Sequence, residues 1–192
     1  MEGNILEKAK RIHLIGIGGT GMSGLAQLLL SMDKKVSGSD NNPSRVLEKL
    51  KKKGIQVICP QKEENISKDI ELVIHSHAIL PDNPEYMKAR EYNIPLLSYP
   101  EAVGCVMEKR KGIAVAGTHG KTTTSSLIVS ILKDSGYSPS FLIGGEIRNI
   151  GNSEAGNSDL LVVEACEYKR SFLNYKPEIG VVTAIEEDHL DY

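Results

Sequence analysis

At 192 residues the chain is long enough to bury one large core or two small ones. Its 23 basic and 25 acidic residues leave a net charge of −2, and two Phe with no Trp offer no base-stacking surface, so neither nucleic acid nor anionic membrane is an expected partner. Three scattered cysteines form no C-x-x-C pair, and there is neither a secretory signal nor an apolar run near the roughly 18 residues of a membrane span, so a reduced, cytoplasmic setting without membrane insertion is expected.

Arg11–Ile17 reads as a buried strand that runs into Gly16-Ile17-Gly18-Gly19-Thr20-Gly21, and Met22–Ser31 continues as an apolar helix. A G-x-G-x-x-G turn between strand and helix gathers backbone N–H groups at a helix N-terminus, which suits a nucleotide diphosphate. Lys35–Gly38 is a second strand. Asp40 follows it about 20 residues past the glycines, where a ribose contact is expected. Pro43 opens a helix over Arg45–Lys53 that Gly54 ends, and Ile55–Ile58 is a third strand. Leu72–His75 is a fourth, followed by Ser76-His77-Ala78 and a Pro81-Asp82-Asn83-Pro84 turn into a helix at Glu85–Glu91. Ile94–Leu97 is a fifth strand and Glu101–Lys109 a helix. The alternation predicts a parallel, doubly wound sheet. His13 falls inside a buried strand and is given no role, whereas His75 and His77 flank Ser76 at a strand end, where open sheets collect ligands. From these residues alone the ligand of the glycine loop stays open between NAD and a uridine diphosphate.

The charged joint Glu108-Lys109-Arg110-Lys111 separates a second unit, giving expected domains 1–109 and 110–192. A strand at Gly112–Ala116 ends in Gly117-Thr118-His119-Gly120-Lys121-Thr122-Thr123, and Leu127, Ile128, Ile131 and Leu132 recur at helical spacing up to Gly136. Strand, glycine turn, Lys-Thr and helix is the order of a phosphate-binding loop: Lys121 is placed to reach terminal phosphates and the Thr122 hydroxyl to hold Mg²⁺. The usual G-x-x-x-x-G-K-[ST] spacing would require glycine where Val115 stands, so this loop is a shorter G-x-x-G-K-T-T. Ser140–Gly145 reads as a strand with a Gly-Gly turn, and Gly151–Ser158 as a polar surface loop. Asp159–Val163 is a strand ending in Glu164, and Glu178–Thr183 another leading to His189; three or four strands are expected in all. Glu164 and His189 thus share strand ends with the loop, as ligands of a divalent cation or its neighbours. Tyr168-Lys169-Arg170 reads as an exposed turn.

Taken together these motifs resemble the Mur ligases of bacterial cell-wall synthesis. The resemblance rests on IHLIGIGGTGMSGLA at 12–26, SGSD at 37–40, SHA and DNPE within 76–85, AGTHGKTTT at 116–124, VEACE at 163–167 with SFL at 171–173, and IEEDHLDY at 185–192. It implies an α/β chain, a Rossmann-like parallel-sheet domain followed by a P-loop α/β domain, that uses ATP to join an amine to a carboxylate. GIGGTGM points to the alanine-adding branch. By this resemblance Gly16, Ile17, Gly18, Gly19, Thr20, Gly21 and Met22 hold the diphosphate of UDP-N-acetylmuramate, and Asp40 lies near its uridine. Ser76, His77 and Ala78 sit at the sugar-nucleotide cleft, although the family often has a second serine where this chain has His77. Gly117, Thr118, His119, Gly120, Lys121, Thr122 and Thr123 bind the ATP phosphates; Thr122, Glu164 and His189 organise Mg²⁺; and Lys121, Glu164 and His189 serve the transfer to L-alanine as acceptor. The family has three domains and this chain stops within the second, so it is expected to be inactive alone yet able to bind the UDP-sugar. The competing readings are a sibling branch that attaches a murein tripeptide, a non-catalytic UDP-sugar-binding module, and an NAD-dependent oxidoreductase, which would leave the second loop without a task.

Overall fold

Ile12, Leu14 and Ile15 are almost wholly buried, which makes Arg11–Ile15 (β1) the centre of a sheet covered on both faces. The computed structural model describes residues 4–147 and 150–186, and the chain divides into two units, 1–102 and 103–192. In the first unit a short helix, Ile5–Lys8 (α1), precedes β1 and is capped by the Asn4 side chain. Then come Thr20–Ser31 (α2), Lys35–Ser39 (β2), Arg45–Lys52 (α3), Gln56–Ile58 (β3), a 3-10 turn at Glu63–Asn65, Leu72–His75 (β4), Pro84–Glu91 (α4), Leu96–Ser98 (β5) and Tyr99–Met107 (α5). The division between the units falls within α5. All five strands are parallel, in the order β3-β2-β1-β4-β5.

The local chemistry explains where the helices start. The Ser44 hydroxyl accepts the Leu47 N–H at 3.3 Å to open α3, and Asn83 accepts from Glu85 and Tyr86 to open α4, with Pro84 in the first helical position. Ile15, Val73, Ala89, Ile94, Ile66 and Ile70 form the core on the α4 side. Alternation sends Leu14 and Ile74 to the other face, and Leu25, Leu28 and Leu29 of α2 are buried as completely.

The α4 face also holds a buried polar group. His13 and Glu85 are both 0 % exposed, with His13 Nε2 3.6 Å from the Glu85 carboxylate and His13 Nδ1 2.9 Å from the Ser37 hydroxyl. Glu85 accepts from the Ser39 hydroxyl, from the Asn65 amide at 2.6 Å and from the Lys62 N–H at 3.4 Å. Burial pushes its pKa up, but His13, Ser39 and Asn65 outweigh burial and hold it below the ordinary glutamate value. A depressed folded pKa contributes stability that is present above the unfolded pKa and is lost as pH falls through the folded one. Glu85→Gln is therefore expected to cost about 2 kcal/mol at neutral pH and to flatten the loss of stability on acidification, as read from urea unfolding at several pH values; an unchanged acid limb would contradict this.

In the second unit Lys111–Ala116 (β6) is followed by Lys121–Asp134 (α6), Ser140–Ile147 (β7), Gly151–Glu154 (β8), Leu160–Glu164 (β9), a 3-10 stretch at Tyr168–Asn174 and Ile179–Val182 (β10). The sheet order is β10-β6-β9-β7-β8, parallel except for antiparallel β8. Ile113, Phe141, Ile143 and Val162 meet Val129 of α6 in its core.

Several expectations need correction. Gly151–Ser158 is not wholly a surface loop: residues 151–154 are β8, paired with β7 across Phe141–Glu154 and Leu142–Ser153. An edge strand is held by backbone bonds, so a polar Gly-Asn-Ser-Glu run carries no apolar alternation to announce it. Gly144-Gly145 makes no turn but continues β7 to Ile147, and the described residues of this unit hold five strands rather than three or four. The helix expected at Glu101–Lys109 begins two residues earlier, and α1 has no counterpart among the expected elements.

Candidate functional site

Ser39, Ile15 and His75 form the last paired row of β2, β1 and β4, so the next residues, Asp40, Gly16 and Ser76, begin three neighbouring loops. Gly16 and Ile17 both donate their N–H to the Ser39 carbonyl at 2.9 Å, which folds the glycine loop back over the end of β2. Asp40 accepts the Gly18 N–H at 2.9 Å and the Asn42 N–H at 3.3 Å; its carboxylate thus braces the loop. Asn41, Gln61 and Asn83 link their amides behind it, at 3.1 Å and 2.9 Å. A side chain at Gly16 would stand 3.3 Å from Ser76 Cβ, which brings the two expected binding segments into contact. Gly19 and Thr20 lie exposed at the loop tip, His77 is half-buried and Ala78 exposed. Met22 is 3 % exposed, so its side chain is buried, with its Cβ and Cγ 3.9 Å from where a side chain at Gly19 would begin.

The second loop is more tightly held. Gly117 takes φ 126° and Gly120 takes φ 80°, the latter serving as the N-cap of α6. The Thr118 N–H donates to the Ala184 carbonyl at 2.9 Å, and its hydroxyl pairs with the Glu186 backbone at 3.0 and 3.2 Å. The Thr183 hydroxyl donates to the His119 carbonyl. Residues 183–186, leaving β10, therefore clamp the outer side of the loop. The His119 imidazole is exposed, with Nε2 3.5 Å from the Glu186 carboxylate, and Thr123 faces solvent.

Two carboxylates from the end of β9 meet the inner side. Glu164 accepts the Thr122 hydroxyl at 3.0–3.1 Å and the Gly144 N–H at 2.8 Å. Glu167 lies 2.9 Å from Lys121 Nζ, which also donates to the carbonyls of Gly117 at 2.5 Å and Thr118 at 3.2 Å; the lysine side chain is only 14 % exposed. Glu167 was not among the residues expected at the loop. Its signal was E-x-x-E directly after an apolar strand, which lets one segment reach two successive loop residues. His189 lies outside the described residues.

The Thr122 hydroxyl and Glu164 carboxylate are the hard oxygen donors that Mg²⁺ takes, and they stand beside a glycine loop that opens a helix. Among the described residues no group of three or more His, Cys, Asp or Glu could hold a metal on its own.

A model of the Mur ligase family catalytic domain matches residues 11–111, and one of the Mur ligase middle domain matches residues 115–192. The chain belongs to the Mur ligase family. The UDP-N-acetylmuramate–L-alanine ligase of Caldanaerobacter subterraneus subsp. tengcongensis is 49% identical to this Mur ligase chain over 189 residues, 97% of the chain and 41% of the relative. The enzyme of that name from Carboxydothermus hydrogenoformans is 46% identical, over 97% of the chain and 40% of the relative. Among solved structures, the UDP-N-acetylmuramate-alanine ligase of Thermotoga maritima superposes with a TM-score of 0.86 at 34% identity, covering 94% of this chain and 43% of that one. A murein peptide ligase from Psychrobacter arcticus 273-4 gives 0.84 at 28% identity, covering 95% and 44%. The Mur ligase chain thus spans about two-fifths of the length of the curated relatives it matches.

Proposed function

We propose that residues 1–109 bind UDP-N-acetylmuramate and residues 110–192 bind ATP, as parts of a ligase that joins L-alanine to the lactyl carboxylate for peptidoglycan precursor synthesis. The observation that carries this reading is the pairing of two successive loop residues, Lys121 and Thr122, with two carboxylates from one strand end, Glu167 and Glu164. Phosphoryl transfer needs positioned charge more than covalent chemistry, and this arrangement supplies it.

In the reaction a lactyl carboxylate oxygen attacks the γ-phosphorus of ATP and ADP leaves, giving an acyl phosphate. The amine of L-alanine then attacks the acyl carbon, loses a proton and expels phosphate. The loop N–H groups and the N-terminus of α6 bind phosphate oxygens, and Lys121 neutralises charge on the transferred group. Glu167 and the two loop carbonyls fix the direction of the ammonium. Thr122 and Glu164 would hold Mg²⁺, which when bound offsets the charge of the phosphate oxygens. His189, by resemblance, belongs to the same group.

Support for alanine as acceptor is the 46–49% identity to enzymes of that name, and among solved structures 34% for the alanine ligase against 28% for the murein peptide ligase. Among the described residues no helix is long and apolar enough to cross a membrane, and a cytoplasmic setting fits soluble, charged substrates. Isothermal titration of the chain with UDP-N-acetylmuramate is expected to give saturable heat; none at roughly millimolar ligand would overturn the first-unit reading.

A further inference from the structure

We propose that Tyr99 is a fourth wall of the UDP-sugar site and that its phenol contacts the diphosphate. This rests on the reading of the first glycine loop given above. The last paired row of the first sheet runs Ser39, Ile15, His75, Ser98 across β2, β1, β4 and β5. One step further along each strand stand Asp40, Gly16, Ser76 and Tyr99. Three of these four belong to the candidate site, and the parallel register delivers the fourth to the same carboxyl edge, where open α/β sheets bind ligands.

A second observation ties the tyrosine to the loop itself. A Cβ built at Gly21 would stand 2.7 Å from Tyr99 Cζ and 2.8 Å from its Oη. The hydroxyl end of the ring therefore lies against the first turn of α2, in the space that a side chain at position 21 would take, so a larger residue there would displace the ring. Tyr99 is only partly buried. The start of α2 has no side-chain cap, since Gly19 occupies that position. An anion drawn to this helix start meets a phenol whose O–H can donate to a phosphate oxygen and whose ring limits how far the ligand can slide along the sheet edge.

The tests are titrations of the unaltered chain, Tyr99→Phe and Tyr99→Ala with UDP-N-acetylmuramate, UDP and UMP. Tyr99→Phe keeps the ring against Gly21 and removes only the donor, so its result decides the matter even if the alanine variant packs poorly. The Phe variant is expected to bind UDP-N-acetylmuramate and UDP about fivefold more weakly, with a smaller loss for UMP, which lacks the second phosphate. Tyr99→Ala is expected to lose tenfold or more for both diphosphates. A merely structural role would weaken all three ligands equally. Equal loss on UMP, or unchanged binding of both diphosphates by Tyr99→Phe, overturns the assignment of Tyr99. Failure of the unaltered chain to bind UDP-N-acetylmuramate overturns the underlying reading instead, so the two failures are told apart.

Discussion

Glu164→Gln is expected to remove Mg²⁺-dependent affinity for a non-hydrolysable ATP analogue by on the order of a hundredfold. The carboxylate accepts from the Thr122 hydroxyl and the Gly144 N–H at once, so it fixes the side chain that would share the metal and the strand beside it. An amide keeps the size of the group but loses its charge and one of its two acceptor oxygens. Titration with and without Mg²⁺ separates the contributions: the metal-free affinity should change little, and UDP-N-acetylmuramate binding not at all. A variant that still gains affinity from Mg²⁺ as the unaltered chain does would contradict the metal role.

Gly117→Val is expected to abolish nucleotide binding and to lower the unfolding midpoint of the second unit by about 5–10 °C. At φ 126° the backbone lies where an L side chain is strained. The added Cβ would also stand 2.3 Å from the Thr183 hydroxyl and 2.8 Å from the Ala184 carbonyl. Those are the groups that clamp the loop from β10, so relieving the clash opens the clamp and misdirects Lys121, whose ammonium rests on the Gly117 carbonyl. The first unit has its own core, and its UDP-sugar affinity serves as the internal control. Differential scanning calorimetry with the ATP analogue present and absent checks both parts; a variant stabilised by the analogue as the unaltered chain is would refute this account of the loop.

The parallel strands and both glycine turns were legible because they depend on signals local in sequence. Leu160 to Val163 is a continuous apolar run and Ile12 to Ile15 is broken only by His13, and a glycine turn followed by helical spacing announces itself within a dozen residues. Asp40 and Glu164 stand out as candidates by position, as polar residues at strand ends, and in the structure Asp40 accepts the Gly18 N–H and Glu164 the Thr122 hydroxyl. What escaped depends on register or on long-range pairing. Tyr99 joins the glycine loop only because β5 aligns with β4 and β1, which no local pattern in Leu96–Tyr99 reveals. Glu167 reaches Lys121 from 46 residues away in sequence. β8 carries polar residues because its pairing is through the backbone. His13 is a buried strand residue, as its place in β1 implies, and its contact with the Glu85 carboxylate depends on a pairing 72 residues apart that no local pattern shows.

The most direct test of the ligase reading is phosphate release by a hybrid in which these 192 residues replace the matching part of the Caldanaerobacter subterraneus relative. Release from ATP is expected only when UDP-N-acetylmuramate and L-alanine are both present, with UDP-N-acetylmuramoyl-L-alanine formed in equal amount. Release that ignores L-alanine, or that requires a murein tripeptide in its place, would contradict the account.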